Sequence, residues 1–94
     1  IGGEEFLIAL PGTAMEEAGQ VAERLCRVME QQPVLLADGT PILVTISIGM
    51  AISAVPCGSA SATFVTDIVG QADRALMKSK SGGRNQVTII RDAA

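Results

Sequence analysis

Ile1-Gly2-Gly3-Glu4-Glu5-Phe6, followed directly by the apolar residues 7–10, is the most informative stretch of this sequence. Adjacent glycines tolerate a positive φ and let another group approach the backbone closely. Ahead of an apolar run they predict the tip of a β-hairpin. Because side chains alternate between the two faces of a strand, we expect Glu4 and Glu5 to point in different directions. One carboxylate can then reach a metal ion or a phosphate group. The alternative interpretation is a solvated turn in which glycine supplies the bend and glutamate the solubility.

Composition restricts the classes of function. The chain has 94 residues, which allows one small domain at most. Two Phe and no Tyr or Trp leave almost no aromatic surface on which the bases of single-stranded nucleic acid could stack. A net charge of −3 also argues against a broad basic surface for a nucleic acid polymer. A single nucleotide, held by a few local cations and a metal ion, remains compatible with these numbers.

The chain contains no His and only two cysteines, Cys26 and Cys57. Cys–His catalysis and His-based metal sites are therefore excluded, and two distant cysteines make neither a disulfide scaffold nor a zinc site. We expect both to be small buried residues in a reducing compartment, the cytoplasm. No run has the length of a membrane-spanning helix, and no signal peptide is visible. Since the chain starts without Met, directly on a motif, we expect it to be a piece of a longer protein, in which any membrane attachment would be made by other parts.

The first half of the sequence predicts a strand and then a helix. The strand is expected over residues 5–10, and Thr13 should be the N-cap of the helix in a capping box with Glu16. Pro33 should end the helix. The apolar residues that recur at helical spacing, and should face the core, are Ala18, Val21, Ala22, Leu25, Val28 and Met29.

A hairpin is expected next, with residues 34–36 as its first strand and Asp38-Gly39 as its turn. The following strand, residues 42–53, alternates between apolar and small side chains. Its apolar face should meet a helix. Its small face, which includes Ser47 and Gly49, could lie beneath another element or line a cleft.

A second helix should begin at Thr63 as N-cap and end at Gly82-Gly83, and residues 87–90 should form the last strand. The order strand, helix, hairpin, helix, strand predicts an α/β (α+β) fold with a mixed sheet.

Three segments together resemble the GGDEF family, the diguanylate cyclases. Gly2-Gly3-Glu4-Glu5-Phe6 matches the family signature in its GGEEF form. Residues 44–51, VTISIGMA, resemble the family's VTxSxGxA strand. Residues 72–85, ADRALMKSKSGGRN, resemble its ADxALYxAKxxGRN segment, with Met77 in place of the usual Tyr and Ser79 in place of the usual Ala. Neither replacement removes a phosphate ligand, although Met77 should alter packing where the helix meets the sheet.

The resemblance implies a mixed, mainly antiparallel β-sheet flanked by helices, in the palm-like fold of nucleotidyl cyclases. Residues 1–94 would be the C-terminal portion of a single GGDEF domain whose N-terminal part is missing. The family is bacterial and serves signalling: a homodimer, with one GTP per protomer, condenses two GTP into cyclic di-GMP and releases pyrophosphate twice. Two Mg²⁺ or Mn²⁺ ions per active site are expected, because two cations can stabilise the attacking and leaving oxygens together.

The resemblance also assigns the site residues. Glu4 is the metal-binding and catalytic carboxylate. Glu5 is the second catalytic acid, either a metal ligand or a group that helps to deprotonate the 3′-hydroxyl. Gly2 and Gly3 let the nucleotide lie against the turn. Lys80 and Arg84 bind the terminal phosphates.

The family's other metal-binding carboxylate, an upstream Asp, is not in this chain, and neither are the residues that read guanine. We therefore expect residues 1–94 alone to have no cyclase activity.

Two alternatives remain open at the level of sequence. One is a degenerate GGDEF domain that binds GTP or cyclic di-GMP as a sensor, against which the intact Glu4-Glu5 pair argues. The other is a plain α/β interaction domain, in which Gly2-Gly3-Glu4-Glu5 is only a turn. The structural interpretation of Lys80 and Arg84 is a pair of cations that cap carbonyls at a helix end.

Overall fold

A computed structural model describes residues 5–53 and 61–91 of the chain. Their helices and strands are, in order, α1 (Met15–Gln31), β1 (Val34–Leu35), β2 (Pro41–Ile42), β3 (Ile48–Ile52), α2 (Ala62–Ser81) and β4 (Val87–Arg91). The expected α/β class is confirmed. Among the described strands, β1 and β2 form one antiparallel pair, and β3 and β4 form one parallel pair.

Residues 5–10 do not form the predicted strand. A strand requires hydrogen bonds to a neighbouring strand, and no described segment pairs with these residues. The apolar side chains of this segment are correspondingly open to solvent, with Phe6 91% and Ile8 68% exposed. The apolar pattern predicted a strand covered on both faces, whereas in the described chain these apolar side chains are neither paired in a sheet nor buried.

Both helices begin at residues other than those predicted. The N-cap of α1 is Ala14, without a side-chain hydrogen bond, because the hydroxyl of Thr13 turns back and donates to the carbonyl of Pro11 at 3.4 Å. The N-cap of α2 is Ser61, whose hydroxyl oxygen accepts from the Phe64 N–H at 3.1 Å. Serine is among the best N-cap residues, so Thr63 falls inside the first turn.

The hairpin forms as predicted, with Val34 opposite Ile42 in the antiparallel register. Gly39 adopts a φ of +86°, which explains the glycine at that position. Asp38 closes the turn by accepting the Thr40 N–H at 2.9 Å. Hydrogen bonds from the backbone and the side chain of Thr40 lower the pKa of the Asp38 carboxyl.

The single strand predicted over residues 42–53 is divided into β2 and β3, and residues 43–47 belong to neither. The division follows from a change of partner: β2 pairs with β1, whereas β3 pairs with β4. The β3–β4 register places Gly49 opposite Thr88. Because β3 and β4 are parallel, their connection must return to the starting end of the sheet, and α2 makes that return.

The β3–β4 pair lies between the two helices. Gly49 faces α2 so closely that a β-carbon there would lie 2.0 Å from the Leu76 nitrogen and 2.3 Å from the Ala72 carbonyl oxygen. On the other face, a β-carbon at Gly19 of α1 would lie 3.5 Å from the Ile89 side chain. The small face of β3 therefore lies beneath a helix, one of the two arrangements that its sequence allowed.

The core of the described residues is built from small side chains. Its buried apolar members are Ala18, Ala22, Cys26 and Ala75. Three of the larger residues predicted to face the core are substantially exposed instead: Val21 (45%), Leu25 (41%) and Val28 (41%). The Cα radius of gyration, 15.0 Å, exceeds the roughly 12 Å of a compact domain of this length. The helix flanks and residues 5–10 thus present apolar surface that no described element covers.

Within residues 5–53 and 61–91, neither helix combines the length and the hydropathy that crossing a bilayer requires.

Candidate functional site

The C-terminal end of α2 carries Lys80 in its last turn and Arg84 in the loop that follows. The Gly82 N–H donates to the Lys78 carbonyl at 2.8 Å, and the Arg84 N–H donates to the Ser79 carbonyl at 2.9 Å. These bonds satisfy carbonyls that the helix end would otherwise leave without partners. They also fold the loop back over the helix, so that Lys80 and Arg84 both lie at the C-terminal end of α2.

Residues 83–85 all have positive φ: Gly83 at 117°, Arg84 at 64° and Asn85 at 49°. A left-handed backbone is costly for a residue such as Arg, so the loop needs support from its surroundings. The Asn85 N–H donates to the Ser47 hydroxyl at 3.2 Å, and the Asn85 amide donates to Glu30 of α1. The loop that carries Arg84 is therefore tied both to the sheet side and to α1.

Ser79 anchors the last turn of α2 to the sheet. Its side chain is fully buried, its hydroxyl donates to the Ile48 carbonyl at 2.8 Å, and it lies 2.7 Å from the Thr88 hydroxyl. The Gln86 amide adds a bond to the Ser79 carbonyl at 2.8 Å. Ser79, directly before Lys80, is thus hydrogen-bonded to both β3 and β4. These bonds restrict the position of the Lys80 backbone.

Lys80 and Glu5 form an ion pair across the molecule. The Lys80 Nζ donates to the Glu5 Oε2 at 2.9 Å, although the two residues are 75 positions apart. The two side chains are only 29% and 19% exposed, respectively. This partial shielding makes the pair stronger than the exposed Glu23–Arg27 pair of α1, whose charged atoms lie 3.9 Å apart at 54% and 70% exposure. A residue of the acidic signature and a residue of the α2 segment therefore meet in space.

The other predicted site residues are placed as follows. Arg84 is exposed, and within the described part of the chain its side chain pairs with no carboxylate. Gly2, Gly3 and Glu4 lie outside the described residues. Met77, expected where the helix meets the sheet, is instead 61% exposed, so its replacement of Tyr changes the outer surface of α2.

Sequence reasoning did not single out Glu30, and it gave Ser47 and Ser79 no role in the site. Ser47 belongs to the small face of the predicted strand, but its hydrogen bond to Asn85 depends on the tertiary fold. For Ser79, a polar residue at a position where the helix pattern expects a small apolar one was the available signal.

A divalent ion would find suitable donor chemistry at the signature, because adjacent carboxylates supply the oxygen atoms that Mg²⁺ and Mn²⁺ prefer. Residues 5–53 and 61–91 contain no group of three or more acidic or thiol side chains that could hold a metal ion. The Glu5 carboxylate is already engaged by Lys80. The described residues therefore do not by themselves make a metal site.

Two open grooves of the described residues lie away from both Glu5 and Lys80. One, of about 710 Å³, runs along the solvent side of α1 towards Ile89. The other, of about 310 Å³, lies where Glu30 meets Asn85. The first groove is lined mainly by residues of α1. The second is lined by residues that include Glu30 and Asn85, whose hydrogen bond supports the loop. The ion pair, and not either groove, is the feature that joins predicted site residues.

Cys26 is a structural residue of α1. It is buried, and its Sγ lies 3.6 Å from the Ile46 carbonyl oxygen as a weak donor. Burial, together with the carboxylates of Glu23 and Glu30, raises the pKa of the thiol. The protonated form is unreactive, which agrees with the expected structural role.

Comparison with known proteins bears on these segments. The family model described as diguanylate cyclase, GGDEF domain, matches residues 1–86. Diguanylate cyclase A of Treponema denticola is 41% identical over 91 residues, which are 97% of this chain and 23% of that protein.

Two further relatives are similar over nearly the same part of the chain. The response regulator PleD of Caulobacter vibrioides is 36% identical over 92% of this chain and 18% of its own length. A probable diguanylate cyclase, DgcF of Escherichia coli, is 34% identical over 97% of this chain and 28% of its own length. The chain thus spans roughly a fifth to a quarter of the curated relatives it matches.

Proposed function

Since the chain belongs to the GGDEF domain family, whose model matches residues 1–86, we propose that it is the C-terminal portion of a GGDEF domain in a diguanylate cyclase. The parent protein condenses two GTP molecules into cyclic di-GMP and releases two pyrophosphates. Two of the similar proteins carry the name diguanylate cyclase, one of them as probable, which supports this assignment. The protein acts in the cytoplasm as part of a signalling pathway.

The reaction needs two kinds of side chain: cations that bind the phosphates and carboxylates that hold the metal ions. The 3′-hydroxyl of one GTP attacks the α-phosphate of the other in line, and negative charge grows on the phosphoryl oxygens and on the departing pyrophosphate. Cations that face the terminal phosphates favour this charge distribution. We assign that task to Lys80, at the end of α2, and to Arg84, in the supported loop beyond it.

Glu4 is the carboxylate that we assign to metal binding, with Gly2 and Gly3 leaving room for the nucleotide against the turn. Bound Mg²⁺ or Mn²⁺, two per site, would polarise the phosphoryl oxygens. The remaining ligands belong to the part of the domain upstream of this sequence. The resemblance gives Glu5 a part in metal binding or in deprotonation of the 3′-hydroxyl, and its carboxylate also accepts a hydrogen bond from Lys80.

One observation carries the proposal: the 2.9 Å ion pair between Glu5 and Lys80. A turn with two carboxylates and a helix-end lysine each have ordinary structural explanations when taken alone. The pair brings the signature next to the lysine to which the resemblance assigns phosphate binding. A plain interaction domain does not require these two segments to meet.

The reaction requires two nucleotides held face to face, so the working species is a homodimer with one GTP per protomer. Each protomer supplies one half of the reacting pair. The isolated 94-residue chain should therefore be inactive, because it lacks the upstream ligands and the residues that read guanine.

The test uses the full-length protein that contains this segment, purified and incubated with GTP and Mg²⁺, with cyclic di-GMP measured by chromatography. We expect product from the unaltered protein and at least about a hundredfold less from Glu4→Gln. The exposed α1 variant Glu23→Gln is the control and should retain activity. Nucleotide binding without product in the unaltered protein would favour the sensor alternative, and absence of both would favour the interaction domain.

A further inference from the structure

We infer that Glu30, in the last turn of α1, is a positioning residue for the loop that carries Arg84. It acts through Asn85, whose side-chain amide donates to the Glu30 carboxylate. By holding Asn85, it fixes the direction in which the neighbouring Arg84 side chain leaves the backbone. The inference rests on the proposed function, because it assumes that Arg84 meets the terminal phosphates of GTP. It adds to the site a residue that lies in neither the signature nor the α2 segment.

The backbone around Arg84 needs such a support. Arg84 and Asn85 both lie in the left-handed region, with φ of 64° and 49°. Asparagine adopts this conformation more readily than most residues, whereas for arginine it is costly. If the loop relaxed to negative φ, the Arg84 side chain would leave the backbone in another direction. Contacts that keep Asn85 in place therefore also decide where the guanidinium group can reach.

Asn85 is held at two points by two separate segments of the chain. Its N–H donates to the Ser47 hydroxyl at 3.2 Å, and its side-chain amide donates to Glu30. One bond alone would still allow the residue to turn about it, whereas two bonds fix its orientation before the nucleotide binds. The bond to Glu30 is charge-assisted, but the carboxylate is exposed, so we expect a moderate effect on binding.

Glu30 occupies a place where a carboxylate is unfavourable for the helix itself. The C-terminal end of a helix carries partial negative charge, which disfavours an acidic residue there, and the last turn of α1 contains no basic residue. One turn earlier, Cys26 is buried and its Sγ lies 3.6 Å from the Ile46 carbonyl oxygen, so this end of α1 is docked against the chain. Helix stability therefore does not explain the carboxylate, whereas its hydrogen bond to Asn85 gives it a task.

The experiment measures the Kd of 3′-deoxy-GTP, which lacks the hydroxyl that reacts, for the full-length protein with Mg²⁺ by isothermal titration calorimetry. We expect Glu30→Ala to raise this Kd by about fourfold, as for the loss of one exposed charge-assisted hydrogen bond. Glu30→Gln keeps an acceptor oxygen and should raise it by less than about twofold. Glu23→Ala removes a carboxylate of the same helix that pairs with Arg27. It is the matched control and should leave the Kd unchanged.

Three further readouts separate positioning from a structural role. In an Asn85→Ala background, and in an Arg84→Met background, Glu30→Ala should change the Kd by less than about 1.5-fold. GMP, which lacks the terminal phosphates, should bind Glu30→Ala as well as it binds the unaltered protein. The Tm of Glu30→Ala should lie within about 2 °C of that of the unaltered protein.

The outcomes are distinguishable. An unchanged Kd in Glu30→Ala, an equal loss of affinity for GMP, or a loss that persists in both double variants would overturn the positioning role while leaving the cyclase function in place. A full-length protein that binds neither nucleotide and makes no cyclic di-GMP would overturn the proposed function, and the inference with it. A loss that is confined to 3′-deoxy-GTP and disappears in the double variants supports the inference.

Discussion

Gly49 of β3 lies directly beneath Leu76 of α2, so close that a β-carbon on the glycine would sit 2.0 Å from the Leu76 nitrogen. The obstacle is helix backbone, which cannot move aside as the end of a flexible side chain can. The glycine is therefore required by the distance between helix and strand. This contact sets the height of α2 above the sheet, and with it the position of Lys80 at the end of the same helix.

Gly49→Ala should lower the free energy of unfolding of the full-length protein by about 3 kcal/mol or more, because α2 must lift from the sheet to make room. Urea denaturation followed by circular dichroism measures the change. Gly70→Ala in the same helix is the matched control, since its nearest neighbour is the Arg74 guanidinium at 3.7 Å. That control should be neutral or stabilising by up to about 1 kcal/mol. Equal stability of the two variants would contradict the close packing.

Ser79→Ala should destabilise the protein by about 1–3 kcal/mol, because it leaves the Ile48 carbonyl and the Thr88 hydroxyl without the partner that they share. The added substitution Thr88→Val removes the hydroxyl as well, and the double variant should recover part of the loss. Unfolding transitions of the single and double variants provide the measurement. A loss in the double variant equal to the sum of the two single losses would show that the hydroxyls do not cooperate.

Asn85→Ala should weaken GTP binding while leaving α2 intact. Alanine is less favourable than asparagine at a φ of 49°, and it cannot donate to Glu30. The loop that carries Arg84 then loses a support, and we expect KM for GTP to rise by about fivefold, equivalent to roughly 1 kcal/mol of lost positioning. Glu30→Gln keeps an acceptor oxygen for the Asn85 amide and should show a smaller rise. An unchanged KM in Asn85→Ala would mean that this bond does not support the nucleotide site.

Cys26 should resist alkylation by iodoacetamide at neutral pH in the folded protein. Burial, and the neighbouring carboxylates of Glu23 and Glu30, raise the pKa of its thiol above that of an ordinary cysteine, so less of the reactive thiolate is present at neutral pH. The modification rate, measured by mass spectrometry on a Cys57→Ser background, should increase as the pH is raised and should increase at all pH values on unfolding in urea. Rapid modification of the folded protein at pH 7 would contradict the buried, protonated thiol.

Sequence alone determined the features that depend on neighbouring residues. Pro33 indicated the end of α1, because proline has no N–H to continue the helix. Asp38-Gly39 indicated the hairpin, because glycine tolerates the positive φ of the turn. Both effects act within a few positions of the chain. The motifs around Glu4, Gly49 and Lys80 indicated the family for the same reason, since each is a continuous stretch.

Only the tertiary structure decided which distant groups meet. The pattern of residues 42–53 could not reveal a change of strand partner, and Thr13 could not reveal that its hydroxyl turns back to Pro11. The Glu5–Lys80 pair joins residues 75 positions apart, and it exists because Gly49 and Ser79 fix the end of α2 against the sheet. Contacts of this kind depend on how helices and strands pack, and local periodicity carries no information about that packing.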